Sequence, residues 1–90
     1  MPYVQKYQRT ELNSSVDEAM KALLRHKNKT FDEGELNYLI SSIVWKLFDD
    51  NPRYATANKL VGALECVKQE FYRRKIGILE DKKIIENGDI

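Results

Sequence analysis

Ninety residues with 42% apolar and 32% charged side chains are enough for one domain, one able to bury about 60–65% of its unfolded surface. A formal charge of +1 excludes a general nucleic-acid coat, which needs a large cationic excess. A single cysteine, Cys66, excludes both an intramolecular disulfide and a cysteine zinc site. The aromatic content, with few Gly and Pro, argues for packed helices and against disorder.

Residues 1–12, MPYVQKYQRTEL, read as an N-terminal arm in which Tyr3, Val4 and Tyr7 offer something to dock with. Such an arm folds back on its own domain or reaches a neighbouring subunit. No apolar leader follows Met1-Pro2-Tyr3, so the expectation is a cytosolic protein.

A first helix is expected over 14–27. Ser15 and Glu18 make a capping box, and Val16, Met20, Leu23 and Leu24 recur at helical spacing. Arg25, His26 and Lys27 fall in the last turn, where cations suit the helix dipole. His26, the only histidine, is expected to face solvent.

A second helix is expected over 31–49, capped by Thr30 and Glu33. Leu36, Leu39, Ile40, Ile43, Val44, Leu47 and Phe48 form an apolar stripe for a core. Trp45 sits off its centre, where it would pack against a third element or a partner chain. Asn37 and Tyr38 flank Leu36; a buried Asn37 would need a partner, for which the third helix is the candidate. Asp49-Asp50-Asn51-Pro52 stops the helix, because Pro52 biases Asn51 away from helical geometry.

The third helix, expected over 55–76, has Thr56 as a candidate N-cap. Leu60, Val61, Leu64, Val67 and Phe71 make its stripe, which Arg74 continues, and Gly77 is expected to end it. Gly62 in its interior suggests close approach by another helix. Residues 79–90 would form a short C-terminal helical tail.

The fold class that follows is all-α: a small bundle of three main helices with an N-terminal arm and a short helical tail. Leu36 to Phe48 and Leu60 to Phe71 would supply its core. Three short-linked helices leave apolar surface over, which small helical proteins cover by oligomerising.

Charge runs in blocks. Residues 1–29 carry six bases and three acids, net +3; residues 30–50 one and five, net −4. Residues 51–75 carry six and two, net +4; residues 76–90 two and four, net −2. Alternating blocks suit pairing within or between chains, or simply the solvated faces of helices.

Glu70-Phe71-Tyr72-Arg73-Arg74-Lys75 is the densest block of candidate recognition residues. Glu70 stands three and four residues before the arginines, the spacing of helix-surface ion pairs. Two guanidiniums can also grip a phosphate, and Tyr72 can stack on a base or a partner side chain. Lys82 lies further along. No nucleophile with a base, no acid–base pair and no metal-ligand spacing accompanies them, so no cofactor and no enzyme activity is expected.

The strings Gly34-Glu35-Leu36-Asn37-Tyr38, Ala63-Leu64-Glu65-Cys66-Val67-Lys68, Glu70-Phe71-Tyr72-Arg73-Arg74 and Glu80-Asp81-Lys82-Lys83-Ile84 with Asn87-Gly88-Asp89 resemble a family of small uncharacterised proteins of phages, prophages and bacteria. The resemblance spans nearly the whole chain. It implies a phage or mobile-element context in a bacterial host cell, and no assigned activity. Where members of that family carry a Pro-Tyr turn after the arginines, this chain reads Ile76-Gly77-Ile78-Leu79. Tyr72-Arg73-Arg74 followed by Glu80-Asp81-Lys82 is also loosely similar to phage-encoded cyclic-nucleotide sponges.

The expectation is therefore a homo-oligomeric accessory protein acting on a host or phage protein partner, with no membrane and no general nucleic-acid binding. Tyr3, Tyr7, Asn37, Tyr38, Trp45, Tyr72, Arg73 and Arg74 are its candidate recognition residues. The alternative is a nucleotide- or phosphate-sequestering protein using Tyr72, Arg73, Arg74 and Lys82.

Overall fold

The computed structural model describes residues 4–90. Tyr3 therefore lies outside the described residues. The fold is all-α, with three main helices and no strand among the described residues. Helix α1 is Lys6–Leu23 and α2 is Glu33–Asp50. Helix α3, Tyr54–Phe71, runs through a π-helical turn, Tyr72–Ile76, into α4, Gly77–Asn87, giving one helix of 34 residues. The chain divides into two units, residues 1–43 and 44–90, with the boundary inside α2.

In the first unit, helix starts much earlier than its sequence signals suggest. Residues 6–12, expected in an arm, belong to α1. The Gln5 N–H donates to Gln8 Oε1 at 2.8 Å, and Arg9 N–H donates to Gln5 O at 3.0 Å, so Gln5 closes the first turn. Nothing between Lys6 and Leu23 breaks a helix, and α1 passes straight through the expected cap at Ser15. Ser14 turns its hydroxyl back to Glu11 O at 3.3 Å, a local bond that a helix interior tolerates.

Helix α1 ends at Leu23, earlier than expected. Leu24 leaves helical geometry while its N–H still reaches Met20 O at 2.9 Å. Lys29 takes a left-handed conformation, φ 58°, and donates to His26 O at 3.0 Å. Asp32 rather than Thr30 caps α2. Its Oδ1 accepts the Gly34 N–H at 2.7 Å, and its carbonyl accepts the Leu36 N–H at 3.0 Å. Thr30 instead gives its hydroxyl to Asn28 Oδ1 at 2.8 Å.

In the second unit, Asn51 N–H reaches Phe48 O and Arg53 N–H reaches Asn51 O, so a tight turn at Pro52 leads into α3. Arg53 is the N-cap, one turn ahead of Thr56. Gly77 does not end the helix. Its N–H bonds to Tyr72 O, five residues back, which closes the π-turn. A Cβ at Gly77 would stand 3.3 Å from that same carbonyl, so glycine suits the wide turn. The helix ends at Gly88, φ 83°, whose N–H reaches Ile84 O at 2.8 Å.

No described residue is buried. Leu36, Leu39, Val44, Phe48 and Leu60 are half-buried, while Ile40, Ile43, Leu47, Leu64 and Phe71 are exposed. The stripes have their expected helical periodicity. No helix among them is long and apolar enough to cross a membrane.

Candidate interaction surface

The Tyr72-Arg73-Arg74 block forms the π-turn itself. Glu70, at the end of α3, accepts from Arg73 Nη2 at 2.8 Å and has Arg74 Nη1 at 3.9 Å. One carboxylate thus neutralises part of both guanidiniums. Both guanidiniums are drawn to the same Glu70 oxygen, Arg73 the closer of the two. Arg74 was expected to continue the stripe beyond Phe71. Arg74 lies midway round the wide turn, so its place relative to that face is shifted by part of the roughly 100° that one extra residue of helix adds. Tyr72 is exposed, and Lys82 makes no ion pair among the described residues.

Trp45 marks a second feature. With Val44, Phe48, Ala57, Leu60 and Val61 it lines an open, apolar hollow of about 300 Å³ between the end of α2 and the start of α3. The tight turn at Pro52 brings these two helix ends together. Trp45 is 65% exposed. The hollow is lined almost wholly by apolar atoms and opens to solvent beside the tryptophan.

Asn37 Oδ1 accepts the Ser41 hydroxyl at 2.8 Å, one turn along α2. The helix therefore supplies its own partner. Tyr38 is 76% exposed and edges a hollow of about 390 Å³ in the first unit, with Leu23, Arg25, Glu35 and Leu39. Tyr7 is exposed on α1.

The most closely knit polar group was not singled out from sequence. Arg25 Nη2 lies 2.5 Å from Glu35 Oε2, and Arg25 Nη1 also donates to Ala22 O at 2.7 Å. His26 Nε2 lies 2.7 Å from Glu35 Oε1, so this histidine is half-buried against a carboxylate instead of facing water. The Arg25 guanidinium, and after it the His26 ring, holds the Glu35 carboxyl below its ordinary range. The group ties the end of α1 to the first turn of α2. The only signal for it was a basic block, 1–29, followed by an acidic one, 30–50.

Cys66 is a half-buried free thiol. No cluster of three or more His, Cys, Asp or Glu able to hold a metal ion occurs among the described residues. The exposed apolar groups of the second unit include Trp45 and, along the long helix, Leu64, Val67, Phe71 and Leu79.

No curated protein and no solved structure matches the chain. A family model described as a domain of unknown function, DUF6899, matches residues 1–90, and the chain belongs to that family.

Proposed function

We propose that this chain is a small accessory protein of the phage or mobile-element kind, working in the cytoplasm of a bacterial host by self-association and protein binding. One observation carries the reading: in the second unit Trp45, Val61, Leu64, Val67 and Phe71 all stand exposed. Exposed apolar faces of this kind are what a second chain covers. The Trp45 hollow adds an anchor suited to a protein surface. Glu70 already occupies Arg73 and Arg74, which favours contact over anion capture.

Native mass spectrometry with sedimentation velocity tests this. The expected result is a multimer of 10.6 kDa subunits with no added mass. A monomer at high micromolar concentration would overturn self-association. A multimer carrying small-molecule mass that is lost on denaturation, and lost again in Arg74→Ala, would replace this reading with nucleotide sequestration.

A further inference from the structure

We infer that the helix 54–87 is a seam for a second copy of this chain, laid parallel and in register, and that the π-turn sets that register. The inference rests on the self-association proposed above and adds the surface and its direction.

Along α3 the apolar stripe reaches Leu64, Val67 and Phe71 at alternating spacings of three and four, the repeat of a two-helix seam. A plain helix would put Arg74 next and end the seam on a guanidinium. The wide turn instead sets Ile76 one turn beyond Phe71, and Leu79 follows three residues later. Ile76 is half-buried, whereas Leu64, Phe71 and Leu79 are exposed. Beyond Leu79 the face turns polar: Lys83 and Glu86 pair with each other at 3.6 Å, so the seam ends there. Gly77 serves the device directly, because its N–H holds the Tyr72 carbonyl and a side chain there would crowd that oxygen.

Charge picks the occupant and its direction. Lys75 immediately precedes Ile76, and Glu80 immediately follows Leu79, so they flank the seam on opposite sides. Neither makes an ion pair among the described residues, while Arg73 and Arg74 are taken by Glu70. One turn before Glu80 and Asp81 stand Ile76 and Gly77, so their own helix offers no cation on that side. In a parallel, in-register pair, Lys75 of one chain meets Glu80 of the other, twice by symmetry. An antiparallel pair would set the Lys75–Lys82 flank against itself. The complement of this surface is therefore the same surface on another copy.

The test uses the full chain with Cys66→Ser and a single new cysteine. Ile76→Cys and Leu79→Cys are expected to oxidise to a disulfide-linked dimer, and Arg74→Cys is expected to stay monomeric on a denaturing gel. Helical circular dichroism confirms that each variant folds. Lys75→Glu should weaken association in sedimentation, and adding Glu80→Lys should restore it. If the parent chain sediments as a monomer, self-association itself fails. If it associates but Arg74→Cys links and Ile76→Cys does not, the seam and register fail alone. Loss of association in Lys75→Glu that Glu80→Lys does not rescue overturns the parallel direction.

Discussion

Two glycines in the same long helix should respond oppositely to one substitution. Gly62 lies inside α3 with nothing within 4 Å of where a Cβ would be. Gly77 lies at the π-turn, where that Cβ would stand 3.3 Å from the Tyr72 carbonyl. In an unobstructed helix interior, alanine is better than glycine by about 1 kcal/mol. Gly62→Ala should gain that amount, and for a domain of this size it raises the melting midpoint by about 4–8 °C. At Gly77 the same propensity gain meets a backbone oxygen that must give way by tenths of an ångström. That oxygen also accepts the bond closing the turn. The two effects oppose each other, and Gly77→Ala should show little or none of the gain. Thermal denaturation followed by circular dichroism, at matched protein concentration, reads both variants. Equal stabilisation of the two would refute the π-turn contact. A loss in Gly62→Ala would show that another helix does approach there, as the bare sequence suggested.

Asp32→Ala should cost about 1 kcal/mol, the ordinary worth of an N-cap, whereas Ser15→Ala should be neutral or slightly stabilising because α1 runs through it; urea midpoints distinguish them. Glu35→Gln should lower stability at neutral pH. Because the folded carboxyl titrates below its ordinary value, its contribution is present above the unfolded pKa and is lost as pH falls through the folded one. The two proteins should therefore converge in acid, and a constant gap across a pH series would contradict the Arg25–Glu35–His26 assignment. Trp45 emission should shift to the blue on raising the concentration of the intact chain if self-association covers the hollow between α2 and α3. An unchanged spectrum in a protein that does self-associate would place the contact elsewhere.

Local chemistry was enough for much of the fold. The helical class, the stripe from Leu36 to Phe48, and the stop at Asp49-Asp50-Asn51-Pro52 all depend on residues within a few positions of one another. The failures share a different cause. Ser15-Glu18 is a sound capping box, but the bond from the Gln5 N–H to Gln8 Oε1 opened the helix earlier and left it unused. Thr30 was a sound cap that lost to Asp32, because Asn28 took its hydroxyl. Gly77 read as a stop and became the closing donor of a wide turn, a choice between two carbonyl partners that composition does not encode. The clustering of Arg25 and His26 on Glu35 required the path of residues 24–32, with Lys29 in a left-handed conformation, before charges ten and nine positions apart could meet. Sequence by itself determined which segments are helical and which faces are apolar, since both follow from short-range periodicity. Only the tertiary structure decided which caps are used and where Arg74 and Ile76 fall around the helix, because each depends on groups that the chain must first bring together.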